Sequence, residues 1–191
     1  AGLFSYNGYE FKNYNKVNQY ENLFVIDIVE NSSKQLVLSS RYLGILFFEG
    51  NKFIKLTTLV DKKNTVHSDI SKFAKTKKGI FAFSTSNIYF IDHKNEVTNI
   101  KDVKSFSISS ITSAETVNEE LVLLATDKGL FGYNIKKNSL NRISNFANEV
   151  TICKGLSSSV LVADLQGNIF ETTFNKTALD KSKLIITIKS K

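Results

Sequence analysis

The chain has 191 residues, of which 42% are hydrophobic and 12% aromatic, and a formal charge of +7. That length and composition suit one all-β domain or most of one and exclude a disordered chain. Lysines are scattered in twos and threes (Lys62-Lys63, Lys136-Lys137, Lys181 to Lys183) and only Arg41 and Arg142 are arginines, which describes a solvated surface and not a nucleic-acid stripe. No apolar run approaches the roughly 18 residues of a membrane span, and Cys153, the one cysteine, has no internal disulfide partner and is expected to be a small buried hydrophobe. A chain without methionine that begins at Ala1 is expected to be processed or internal to a longer product.

The first fourteen residues, AGLFSYNGYEFKNY, predict two short strands, the last half of a four-stranded unit. The same phrase returns as LGILFFEGNKF from Leu43, as SNIYFID from Ser86, as KGLFGYN from Lys128 and as QGNIFETT from Gln166. The anchors Gly2, Gly44, Asn87, Gly129 and Gly167 are spaced by 42, 43, 42 and 38 residues, a period that belongs to propeller blades or to helical repeats of the HEAT type. Local periodicity decides between them. Gln35 to Glu49, Gly79 to Asp92, Glu120 to Asn134 and Ser159 to Thr173 each read as two β-rich runs split by a turn, and none keeps apolar residues at three-and-four spacing.

Before each hairpin a leading strand is predicted, over Leu23 to Val29, Ile70 to Ala74, Phe106 to Ile111 and Glu149 to Cys153. After each comes a trailing strand, over Phe53 to Thr57, Glu96 to Ile100, Leu140 to Ile143 and Leu184 to Ile188. Four strands per repeat make the blade of a β-propeller, and the continuous apolar second strands fit sheets covered on both faces. The expected fold is therefore all-β, about four and a half blades of a partial propeller: a half blade over 1–14, then blades over 22–57, 68–100, 106–143 and 149–188. The anchor glycines are expected to serve either positive φ or a close backbone approach at the turn that a side chain would obstruct, with Asn87 standing in as a residue that tolerates left-handed backbone.

The phrases GLFSYNGYEF (Gly2 to Phe11) and LVLLATDKGLFGY (Leu121 to Tyr133) resemble the repeats of two-component regulator propellers, once per period along the whole chain. The family's second-strand Trp is replaced here by Val37, Ala82, Val122 or Val162, and its Arg in the Gly-Leu phrase by Ser5. The resemblance implies a non-catalytic sensor segment, periplasmic or extracellular, that binds a glycan fragment or a protein partner and is completed by further blades of the same protein or a second copy. The alternative is a scaffold propeller of a cell-surface or secreted assembly. A third reading, a propeller lyase or hydrolase, would need catalytic residues in blades not present here.

No catalytic constellation accompanies the repeats. His67 and His93 are isolated and lack metal-ligand spacing, the pair Glu119-Glu120 precedes a strand, and no phosphate loop, nucleophile elbow or calcium loop is found. No cofactor, no metal, no nucleic acid and no direct membrane contact are expected, and the chain reads as no enzyme. Binding is expected on the loops joining second to third strands, which share a face with the loops between blades. There Arg41 and Tyr42 offer a guanidinium fork and a stacking ring, and Asp127 and Lys128 a charged pair.

Overall fold

The computed structural model describes residues 3–14, 23–49, 52–55, 69–146, 148–156 and 158–188. Strands β1 (Phe4–Tyr6) and β2 (Phe11–Asn13) form a two-stranded antiparallel hairpin. Four four-stranded sheets follow, each with its strands in consecutive order. The first blade holds β3 (Val25–Glu30), β4 (Leu36–Ser40), β5 (Gly44–Glu49) and β6 (Lys52–Lys55). The second holds β7 (Lys72–Thr76), β8 (Gly79–Phe83), β9 (Asn87–Ile91) and β10 (Val97–Asp102). The third holds β11 (Ile111–Thr116), β12 (Leu121–Thr126), β13 (Gly129–Asn134) and β14 (Ser139–Arg142), and the fourth β15 (Val150–Gly155), β16 (Val160–Asp164), β17 (Asn168–Asn175) and β18 (Ala178–Thr187).

The chain divides into two compact units, residues 1–84 with 89–99, and 85–88 with 100–191. Each has its own core between successive blades. In the first, Val37, Ile45 and Phe47 pack against Phe73, Ile80, Ala82, Tyr89 and Ile91. In the second, Leu121, Leu123, Ala125 and Leu130 pack against Cys153, Val160 and Val162, with Phe170 and Phe174 at the margin. Alternation along the strand sends Leu38 and Leu46 to the other face of the first blade, where they meet Leu23, Phe53, Leu3 and Tyr14. Both faces of one sheet are thus apolar, as the unbroken LVL and LVLL runs require.

One device recurs at the seam between blades. The ladder of β3 with β4 slips between Val25 and Asp27, that of β11 with β12 between Ile111 and Ser113, and that of β15 with β16 between Val150 and Ile152. Each slip is a β-bulge, which adds a residue and turns the next side chain to a new direction. In the first unit Asp27 thereby reaches the second blade, its Oδ2 accepting the Phe73 N–H at 2.7 Å. At the matching place in the second unit the Ser113 hydroxyl donates to the Cys153 carbonyl at 2.9 Å. The loops stitch a second line: Ser32 Oγ lies 2.9 Å from His93 Nδ1, and Asn118 Nδ2 donates to the Lys176 carbonyl at 2.8 Å.

Turn chemistry is equally repetitive. Thr76-Lys77-Lys78-Gly79 and Thr126-Asp127-Lys128-Gly129 close two-residue hairpins in which the threonine hydroxyl donates to the glycine carbonyl, at 2.9 and 2.8 Å, and accepts the lysine N–H. Gly79 has φ +151°, and a Cβ there would run into the Ile91 carbonyl and sit 2.7 Å from the Phe90 ring. Gly44, Gly129 and Gly167 also take positive φ. Asn87 departs from the expectation: it starts β9 without positive φ, its amide turned to the Ser86 hydroxyl at 3.0 Å.

The leading strand of the third blade also differs, beginning at Ile111 where the sequence pattern placed it over Phe106 to Ile111. Lys104–Phe106 instead form a 3-10 turn that ends at Ser107 with φ +51°. Phe106 stands edge-on to Phe131 at 5.7 Å, and Asp127 captures the Ser109 and Ser110 amides, so these residues bond to a loop and not to a ladder. His67, the start of the predicted 68–100 blade, the tail of the predicted strand to Thr57 and the anchor Gly2 lie outside the described residues.

Gly79→Ala is expected to cost about 2–3 kcal/mol, since φ strain and a backbone collision act together, whereas Gly8→Ala, with nothing within 4 Å of its Cβ, should cost only about 1 kcal/mol. Urea midpoints of the two variants check the difference.

Candidate functional site

The loop between β4 and β5 is Arg41-Tyr42-Leu43, since the ladder closes at Ser40 and Gly44. The Arg41 N–H donates to the Phe24 carbonyl at 3.0 Å, which anchors the loop to the segment entering β3. The guanidinium then lies 5.8 Å from the Phe24 ring centre and 6.0 Å from that of Tyr42. Tyr42 is 67% exposed and Phe24 40%. A cation between two exposed rings gains about 0.5–1 kcal/mol from the ring quadrupoles at such a surface. A planar anion could take the fork while an apolar or sugar face stacks on Tyr42.

Phe24 was not foreseen as part of this patch. The sequence pattern places it second in a leading strand, whereas β3 starts one residue later, at Val25, and leaves Phe24 in the linker. The shared face of linkers and second-to-third loops is the signal that would have found it.

Asp127 and Lys128 occupy the matching loop of the second unit and have a different occupation. Asp127 Oδ1 accepts the Ser109 and Ser110 amides at 2.9 and 3.1 Å, and Oδ2 lies 3.3 Å from Lys128 Nζ. Burial works to raise this carboxyl, but the two amide donors and the ammonium outweigh it and hold it below the usual carboxylate range. Its first use is to fasten the linker before β11. In the fourth blade Asp164 instead closes its own turn, accepting the Asn168 amide and side-chain N–H at 2.9 Å each.

A second concavity in the same unit, of about 360 Å³, opens between the ends of β11 and β15. Glu115 lines it, where the corresponding residue of the first blade is Val29, packed against the core. Gly155 makes room for the carboxylate: a Cβ there would meet Glu115 Oε1 and lie 3.2 Å from its Cδ. Lys154 Nζ approaches the other oxygen at 3.6 Å. The Ser159 hydroxyl and Thr172 hydroxyl also line the space but are committed to Glu171 and the Val160 carbonyl. Among the described residues no cluster of three or more His, Cys, Asp or Glu is placed to hold a metal, and His93 sits on an exposed loop against Ser32.

No protein-family model matches the chain, and no curated protein matches it. Solved structures do. The extracellular domain of the hybrid two-component system BT4673 from B. thetaiotaomicron aligns with a TM-score of 0.68 at 16% identity, over 90% of this chain and 24% of that one. A catalytically inactive virginiamycin B lyase from Staphylococcus aureus, solved with quinupristin, aligns with a TM-score of 0.66 at 11% identity, over 92% of this chain and 59% of that one. PorZ, a surface component of the type-IX secretion system of Porphyromonas gingivalis, aligns with a TM-score of 0.61 at 16% identity, over 86% of this chain and 23% of that one. The fold is a β-propeller of four-stranded blades, about four and a half of them present. The chain spans about a quarter of the BT4673 domain.

Because the folded-state carboxyl of Asp127 is held low, its contribution to stability is present above the ordinary aspartate pKa of about 3.9 and is lost as pH falls through the lower folded value. The stability gap between the wild type and Asp127→Asn should therefore be full at pH 7 and close as the pH drops from about 5 toward 2. Urea titrations across that range measure it.

Proposed function

We propose that the chain is a non-catalytic segment of a sensor propeller carried outside the inner membrane, part of the extracytoplasmic input of a two-component regulator. The observation that carries this reading is the alignment of nine-tenths of the chain with the BT4673 extracellular domain, joined to the phrases that recur once per repeat at the anchors Gly2, Gly44, Asn87, Gly129 and Gly167. The ligand, a glycan fragment or a protein surface, meets the Phe24, Arg41 and Tyr42 patch. The fit is chemical: the guanidinium takes a carboxylate and the exposed ring takes an apolar face. Asp127 and Lys128, in the second unit, fasten the linker before β11 and do not act on a ligand chemically. Further blades, from the same protein or from a second copy, complete the ring.

The likeness to PorZ favours a second reading, a scaffold propeller of a cell-surface assembly. The two readings part on the ligand. A sensor takes a small molecule at the Arg41 loop, whereas a scaffold buries that loop against a protein.

Titration of the chain with a panel of acidic and neutral oligosaccharides, followed by calorimetry, tests the sensor reading. Saturable binding that Arg41→Ala and Tyr42→Ala each weaken by about tenfold or more, without loss of thermal stability, is the expected result; tenfold corresponds to about 1.4 kcal/mol. Binding that both variants leave unchanged would move the ligand elsewhere. No binding by any sugar, together with protection of Arg41 by a co-purifying protein, would favour the scaffold.

A further inference from the structure

In the middle of β13 stands Gly132, buried and paired on both sides, with Leu123 in β12 and Asn141 in β14. Its φ is not positive, so the backbone does not call for glycine there. The same register position in the first blade is Phe47, paired with Val37 and Ile54, only 3% exposed and packed into the core of its unit. The sequence repeat puts Phe90 at the matching place in the second blade, and the fourth carries the exposed Glu171. A residue that supplies the apolar filling of one blade is thus deleted to a hydrogen atom in the third.

Gly132 lines a cleft of about 320 Å³, the lower end of the range for small-molecule sites. A Cβ on Gly132 would come within 3.1 Å of Leu121 Cδ1, which would have to shift by a few tenths of an ångström, and would lie 3.7 Å from Ile143 Cδ1; these two side chains with Leu179 make the apolar wall. A mid-strand glycine costs sheet stability and often marks close approach of a ligand. The rim has a single sign of charge: Lys137 and Arg142 line the cleft and no carboxylate does. Lys137 ion-pairs with no carboxylate among the described residues. Asn134, 8% exposed, spends its side-chain oxygen on the Lys137 N–H at 2.8 Å, and its amide nitrogen donates to no protein atom among the described residues.

The geometry points to a binding site for a small aromatic carboxylate, whose ring lies in the cleft over Gly132 against Ile143 and Leu179 and whose anion meets Lys137. Ring-sized apolar gaps bind aromatic molecules; the Lys137 ammonium and the Asn134 amide add a direction to the ring and select an acid over a neutral arene. The site lies within one unit of the chain and does not depend on the sensor reading or on the Arg41 patch.

Phenylacetate is the probe, titrated into the ¹⁵N-labelled chain and followed by amide resonances. The expected result is saturable shifts centred on Gly132, Asn134 and Lys137, with phenylacetamide at least fivefold weaker. Gly132→Phe, which restores the residue of the first blade, should abolish the shifts while keeping the spectrum folded. Lys137→Gln should weaken phenylacetate by threefold or more and leave phenylacetamide unchanged, and it carries the test if Gly132→Phe does not fold. Shifts that do not saturate, equal affinity for acid and amide, or binding that survives Gly132→Phe would each overturn the assignment.

Discussion

A blade of four short strands is apolar on both faces, so none of these sheets is stable until another layer lies on each side of it. Everything else in the structure serves that constraint. The inner strands carry unbroken aliphatic runs because they have no wet face, and the buried residues are supplied alternately to the layer before and the layer after, as Val37 and Leu38 show in adjacent positions. Two polar side chains enter the seams to serve a backbone group of the next blade. Asp27 and Ser113 do this from opposite chemistries, one accepting an N–H and the other donating to a carbonyl, after the same bulge has turned them toward the neighbouring blade.

Within this regime the places where a blade departs from its siblings are the informative ones. Val29 and Phe47 fill the layer of the first unit, and their counterparts Glu115 and Gly132 leave open space in the second. Apolar burial of a whole side chain is worth about 1.5–3 kcal/mol, so each exchange gives up stability that the first unit retains. Loop residues tell the reverse story. Asp127 looks available in the sequence, yet it is held by two backbone amides of the linker before β11, and Asp164 is likewise occupied, by Asn168 of its own turn.

The architecture was legible because its signal is redundant. A glycine-led aromatic phrase recurs at nearly constant spacing, and the third hairpin, predicted between Glu120 and Asn134, forms from Leu121 to Asn134. The leading strand of the third blade was misplaced because FSISSI alternates as a strand does, while the side chain of Asp127, seventeen residues on from Ser110, captures its amides. No local pattern announces that competition. At Asn87 the left-handed backbone expected from asparagine does not form: the residue starts β9 without positive φ and turns its amide to the Ser86 hydroxyl. The Arg41 and Tyr42 pair was visible as residue types, but its aromatic partner Phe24 was hidden by a strand boundary shifted by two residues. The repeat already sets Gly132 opposite Phe47, three residues after the anchors Gly129 and Gly44, but the cleft itself depends on how Leu121, Ile143 and Leu179 pack around that glycine.

The position of the lone thiol has a consequence of another kind. Cys153 is 1% exposed, its sulfur lies 3.7 Å from the Ser113 hydroxyl and 3.8 Å from the Leu123 carbonyl, and burial pushes its pKa up to about 11. In the closed seam it is inert to alkylating reagents. Each reaction with such a reagent therefore records an excursion in which the third and fourth blades part. The molecule carries a built-in clock for that opening, and its rate against reagent concentration separates how often the seam opens from how long it stays open.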